Sequence, residues 1–222
     1  MGKFIGSPME PYLYPLRAVP GELPLATRPR APSIFPMQNR REEVPQNLTG
    51  SLLIAHPNMH DPNFRRSVLF ISSHDPEEGA MGVILNRPLD KQVADLVGDT
   101  PPEGLAEVPV FLGGPVGKNQ LMFAAFEWEN ANDLRLNHNV NADEAHEKVG
   151  EDPGSIRAFV GYSGWSAGQL EAEMKQKAWI LQKPTRAALT PDRLPKLWFE
   201  IMRGLGPWFK MLSAAPDDPS LN

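Results

Sequence analysis

The sequence predicts one strand-dominated α/β domain built on an antiparallel or mixed sheet. Three observations carry this. From Leu48 onward short apolar runs alternate with turn residues, strand patterns outnumber helical ones, and the first strands are joined by connections too short for crossover helices. The 222 residues suffice for one domain and a tail.

Residues 1–47 hold nine of the 24 prolines. A proline every few residues denies both a helical ladder and a central strand, so this stretch reads as an extended arm. Phe4, Tyr12, Leu13, Tyr14, Leu16 and Phe35 exceed what a solvated linker needs, and part of the arm is expected to pack on the body or a partner. The folded body spans 48–212, and 213–222 reads as a disordered tail.

Within the body Leu52–Ala55, Ser67–Ser73 and Met81–Leu85 are the first strands. Asp90 is placed to cap a short helix that reaches Val97 and stops at Gly98. Val110–Leu112 and Leu121–Phe126 continue the sheet. Both parities are apolar in Val68-Leu69-Phe70-Ile71 and Leu121-Met122-Phe123-Ala124, which marks central strands covered on two faces. Asn141 with Glu144 opens a helix ending near Gly150, and Ile156–Tyr162 is the next strand. Ser166-Ala167-Gly168-Gln169 has the spacing of a capping box. The helix after it carries Leu170, Met174 and Ala178 on one stripe, with Glu171–Lys175 and Glu173–Lys177 as i,i+4 pairs. A last helix, from about Pro195 to Leu205, buries Leu197, Trp198 and Ile201.

Charge and composition narrow the function classes. The arm has six Lys/Arg and four Asp/Glu, leaving the remaining residues with 22 − 6 = 16 positive and 27 − 4 = 23 negative charges. A net −7 outside the arm argues against a protein that holds nucleic acid by bulk charge. Residues 170–212 carry eight basic and four acidic side chains, a basic end interleaved with acids as on a solvated helix face. Binding to DNA is therefore expected to be weak and non-specific. The absence of cysteine removes disulfides, thiolate zinc sites and cysteine nucleophiles, and fits a reducing cytoplasm. No apolar run approaches the roughly 20 residues of a spanning helix, prolines break any signal-peptide core, and Gly6 stands where a myristoylation signal needs Ser or Thr.

Four blocks carry a family likeness. They are Asp61-Pro62-Asn63-Phe64-Arg65-Arg66-Ser67-Val68 followed by His74; Glu78-Gly79-Ala80-Met81-Gly82-Val83-Ile84-Leu85-Asn86-Arg87-Pro88; Val110-Phe111-Leu112-Gly113-Gly114-Pro115-Val116; and Gly161-Tyr162-Ser163-Gly164-Trp165-Ser166-Ala167-Gly168-Gln169-Leu170-Glu171. In this order, over roughly 48–205, the chain resembles the YqgE/AlgH family of bacterial proteins. The resemblance implies a bent, bifurcated mixed sheet closing into a pseudo-barrel with flanking helices. It implies no reaction; the family carries a proposed role in regulating transcription of a polysaccharide pathway.

Several constellations imitate catalytic ones. Gly164-Trp165-Ser166-Ala167-Gly168 matches G-x-S-x-G between a strand and a helix, the setting of a nucleophile elbow. A base should follow that serine, yet the last histidine is His146, and the family pattern also accepts Gly at this position. Helix cap and tight turn is the better reading. His56, His60, Asp61 and His74 are ligand types for a metal, but Pro57, Asn58 and Pro62 make their segment a loop, and no metal is expected. Gly113-Gly114-Pro115-Val116-Gly117-Lys118-Asn119 is one residue short of a phosphate loop, ends in Asn and runs into a strand; its glycines read as a tight turn with exposed amides.

Asp61, Arg66, His74, Asn86, Arg87 and Trp165, beside loops, combine donors, acceptors and a flat aromatic. With Gly113 and Gly114 they form the candidate ligand-binding set. The resulting expectation is a non-catalytic, cytoplasmic protein with no cofactor, binding a small molecule or peptide in a loop-lined cleft. The alternatives are a DNA-associated regulator and a hydrolase using Asp61, His74 or Ser166.

Overall fold

The structure, a computed structural model, describes residues 14–16, 45, 47–98 and 100–214. In chain order its elements are β1 (Tyr14–Pro15), β2 (Leu52–Ala55), β3 (Val68–Asp75), β4 (Gly79–Ile84), β5 (Pro88–Gln92), α1 (Val93–Val97), β6 (Pro109–Leu112), β7 (Val116–Asn130), β8 (Asp133–Val140), α2 (Ala142–Glu151), β9 (Ile156–Trp165), α3 (Gln169–Lys175), β10 (Trp179–Gln182), α4 (Leu197–Gly204) and α5 (Pro207–Ser213). A 3-10 turn at Leu194–Lys196 leads into α4.

The ten described strands form one sheet, along the path β1-β7-β9-β4-β3-β2-β10 with β5, β6 and β8 off it. Among the described strands only β6 and β9 run parallel. The sheet splits at β9: Ile156–Val160 lie between β7 and β6, whereas Ser163–Trp165 pair with β4. Gly161 stands at the branch with φ of 67°, and a side chain there would meet the carbonyls of Val116 and Gly114. This is the expected bent, bifurcated mixed sheet, curled into a half-barrel with flanking helices.

Two-sided burial follows the two-sided apolar runs. Val68 and Phe70 face an inner cluster with Leu52, Ile54, Phe159 and Trp198, while Leu69 and Ile71 face an outer one with Leu53, Trp165 and Trp179. Met122 and Ala124 likewise point to the inner cluster, and Leu121, Phe123 and Ala125 to a second outer cluster near α2. Helix α4 fills the inner face through Leu197, Trp198 and Met202, and Trp198 Nε1–H donates to the Ala55 carbonyl at 2.8 Å.

Some elements differ from the sequence reading. Asp90 is not a helix cap; it lies in β5 at φ of 52°, and Asp95 accepts from the Gln92 N–H at the start of α1. Helix α3 begins at Gln169 after Gly168 and stops short of Ala178, because Lys177 turns left-handed at φ of 56° and Trp179 enters β10. The predicted last helix becomes a 3-10 turn plus α4, and α5 follows. Strands β5 and β8 have too few consecutive apolar residues to show as strands locally, and β8 buries only its alternate Leu134 and Leu136 on the inner cluster; β10 has the run Trp179-Ile180-Leu181, but it follows directly on the helical stripe that ends at Ala178. The Asn141–Glu144 capping box is present, with the Glu144 N–H donating to Asn141 Oδ1 at 2.9 Å. The tail from 215 onward lies outside the described residues.

Candidate functional site

The 56–67 loop is short of secondary structure and rich in proline and asparagine, so its backbone needs partners from elsewhere. Arg87, just past β4, supplies them. Its Nη1 and Nη2 donate to the carbonyls of Asn63 and Arg65 at 2.7 and 2.9 Å. Burial lowers the Arg87 pKa, the neighbouring Arg65 lowers it further, and Asp61 acts in the opposite sense. Asn86 does the same work beside it, accepting from the Val68 N–H at 2.8 Å and donating to the Arg66 carbonyl at 2.9 Å. Asp61 accepts from the Asn63 N–H at 2.8 Å and so closes the turn. The guanidinium of Arg66, on a backbone at φ of 56°, lies 5.1 Å from the Phe199 ring centroid and 5.7 Å from that of Trp198.

The inner side of the same loop is aromatic. Phe64 stacks on Trp165 at 6.1 Å and meets Trp179 edge-on at 5.6 Å. Both indole N–H groups donate to Glu173 Oε2, at 3.0 Å from Trp165 and 2.9 Å from Trp179, while Gln169 Nε2 donates to Oε1 at 3.0 Å. His74, a few residues along β3, accepts the Leu48 N–H at Nδ1 (3.1 Å), which leaves its proton on Nε2 for Glu171 Oε1 at 2.8 Å.

Gly113 joins the group from the other side. The Leu112 N–H donates to the Arg87 carbonyl, and the Gly113 carbonyl accepts from Ile84 N–H and Ser163 Oγ. The Gly113 N–H donates to Val160, so this amide is engaged within the sheet. A side chain at Gly113 would meet the Gly161 carbonyl, and one at Gly114 the backbone of Tyr162. Both glycines are buried at the sheet branch, not exposed in a turn.

Thus seven of the candidates, Asp61, Arg66, His74, Asn86, Arg87, Gly113 and Trp165, are linked to neighbouring strand ends, loops or α3, and Gly114 packs at the branch. None lines the open depression of about 370 Å³ bounded by Pro88, Asp90, Lys91, Gln92, Asp95, Pro109 and Val110.

The catalytic look-alikes separate. Ser166 is exposed, and its Oγ donates to Gln169 Oε1 at 3.1 Å while the Ser166 N–H reaches the same oxygen. Gly168, at φ of 70°, is the residue that precedes the helix, so Ser166 shapes a turn and does not cap α3. His56 packs edge-on against Phe209 at 5.9 Å, and its pKa is lowered by burial and then by Lys177. Among the described residues no three His, Asp or Glu side chains gather to hold a metal. We expect Ser166→Ala to change stability by less than about 0.5 kcal/mol, as for an exposed turn residue, and a fluorophosphonate probe to leave the wild type unlabelled. Stoichiometric labelling lost in Ser166→Ala would restore the hydrolase.

Sequence reasoning missed four side chains. Glu171 and Glu173 matched local helical pairs, and their spacing held no sign of His74 or the indoles. Trp179 follows a helical stripe and carries no motif of its own. Arg157 sits on β9 in an apolar strand, buried, with Nη2 donating to the Leu189 carbonyl at 2.9 Å and its guanidinium 4.2 Å from the Phe126 centroid. Burial brings its pKa down to about 10.

A family model described as AlgH-like matches residues 52–210, which hold every candidate side chain of this network. The chain belongs to the AlgH-like family. A UPF0301 protein from Streptomyces avermitilis is 36% identical over 191 residues, covering 79% of this chain and 96% of that one. A UPF0301 protein from Bacteroides fragilis is 34% identical over 180 residues, covering 78% and 90%. Among solved structures, the solution structure of the AlgH protein from Pseudomonas aeruginosa aligns with a TM-score of 0.56 at 27% identity, covering 80% of this chain and 98% of that one. DIP2367 from Corynebacterium diphtheriae aligns at 0.58 and 23% identity, covering 80% and 95%, and shares the fold. The AlgH-like domain thus begins at β2 and leaves β1 outside it. Its described helices include none long and apolar enough to cross a membrane.

Proposed function

We propose that this AlgH-like protein is a non-catalytic cytoplasmic binding module that engages an acidic, apolar peptide on the face made by the 56–67 loop and the α4–α5 hairpin. The observation that carries this reading is the exposure of large apolar side chains there: Trp208 is 61% exposed, Met211 57% and Phe199 39%. Aromatic and methionine side chains left in water on one hairpin are typical of recognition surfaces. Arg66 lies against Phe199, and residues 170–212 carry the chain's basic end, so the chemistry favours an acidic partner with apolar anchors. The buried network beneath, from Asp61 to Trp165, keeps the loop in place.

Selection of displayed peptides on the full chain tests this reading. The expected consensus is acidic and aromatic, with binding weakened about tenfold or more by Trp208→Ala, as for a hot-spot aromatic, and weakened by salt. Selected peptides that bind Trp208→Ala as well as wild type would refute it. The DNA-associated reading rests on Lys196, Arg203 and Lys210 near the same hairpin. It requires retention of one defined DNA site at about 150 mM salt, where non-specific contacts have weakened.

A further inference from the structure

Strand β7 runs from Val116 to Asn130, but its hairpin partner β8 reaches back only to Phe123, opposite Val140. Beyond that point β7 would present a bare edge, the template that invites a foreign strand. Here the arm occupies it: Tyr14 pairs with Leu121, Pro15 with Gln120, and the Leu16 N–H donates to the Asn119 carbonyl at 3.0 Å.

The fit is specific in three ways. Tyr14 meets Phe123 edge-on at 5.5 Å, and Tyr14 and Leu16, two residues apart, both pack on the outer cluster under α2. Because Leu16 bonds to Asn119, position 15 is the non-bonded step of the antiparallel ladder, where an N–H would point away from β7 and proline costs nothing. The arm also repeats this chemistry in sequence, with Leu23-Pro24-Leu25 and Phe35-Pro36-Met37 following Tyr14-Pro15-Leu16. The contact itself is short, two paired residues, and being part of the same chain gives it an intramolecular advantage that a separate peptide lacks.

We infer that the β7 edge at Asn119–Leu121 is a peptide-docking groove for an extended apolar–Pro–apolar segment of a partner, and that Tyr14-Pro15-Leu16 is its resident, displaceable cis occupant. The recognition mode is strand addition, with main-chain bonding to β7 for affinity and side-chain packing on Phe123 and the outer cluster for selectivity. Tyr14-Pro15-Leu16 then competes with any partner, lowering its apparent affinity by the fraction of time these residues are docked. This groove is on the outer face of the sheet and does not depend on the α4–α5 reading.

The test uses the full chain and a fluorescein-labelled synthetic peptide of residues 10–19. Tyr14→Ala/Leu16→Ala, which empties the groove without touching the body, should bind this peptide about tenfold or more tighter than wild type. The same peptide carrying both alanines should not bind. Backbone amide shifts should fall on Asn119, Gln120, Leu121 and Val140 of the variant, and in wild type excess peptide should move the Tyr14 and Leu16 amides as the resident segment is displaced, which keeps the result independent of how the variant folds. Equal affinity of the two proteins, equal affinity of the two peptides, or shifts gathered on α5 would overturn the groove.

Discussion

Phe70→Ala and Phe123→Ala are each expected to lower unfolding free energy by about 3–5 kcal/mol, the usual cost of deleting a buried ring and leaving its cavity. Both rings are at or below 1% exposure, on central strands with neighbours on either side. They lie in different clusters, Phe70 in the inner one beside Trp198 and Phe123 in the outer one beneath the arm. The two losses should therefore add when total stability allows. Since a domain of this size holds roughly 5–15 kcal/mol in all, the double variant should be largely unfolded. Urea denaturation checks this through the shift of the midpoint at constant slope. A loss under about 1 kcal/mol for either single variant would mean that its strand is not central.

Glu173→Ala should be nearly as costly, at roughly 3–5 kcal/mol, although the residue is only partly buried and looks from the sequence like a surface helix position. The reason is what it leaves behind. Two indole N–H groups on tryptophans at 5% and 4% exposure lose a shared carboxylate oxygen, and an unpaired buried donor costs about 1–3 kcal/mol. Phe64 rests on both rings, so the 56–67 loop should loosen with them. Glu173→Gln keeps an oxygen for the indoles and loses the charge and the bond from Gln169, which predicts a loss of about 1–2 kcal/mol. Tryptophan fluorescence during denaturation reads both variants. Equal losses for Ala and Gln would show that the acceptor oxygen is not what matters.

These two cases differ in legibility. Phe70 and Phe123 announce themselves because a run apolar at both parities can be buried only on two faces, whatever the rest of the chain does. Glu173 is silent because its partners are set by where β9 and β10 end, and the i,i+4 spacing to Lys177 offers a sufficient local explanation. Trp165 stands in the candidate ligand-binding set, and the partners the structure gives it, Phe64 and Trp179, come from separate elements. Ser166 shows the converse error: its S-x-x-Q spacing satisfied a capping rule, while the position that caps the helix is Gly168, two residues later.

By itself the sequence determined the strand-rich class, the central strands β3 and β7, the Asn141 cap of α2 and, through four ordered blocks, the AlgH-like family. These are properties of local periodicity and local hydrogen bonding, which depend on neighbours a few residues away. Only the tertiary structure decided the split of the sheet at Gly161, the pairing of β5, β8 and β10, the bond between His74 and Glu171 across 97 residues, and the docking of Tyr14 on β7. Strand edges and buried polar groups take whatever partner the folded chain brings within reach, and that choice is made by long-range closure of the sheet.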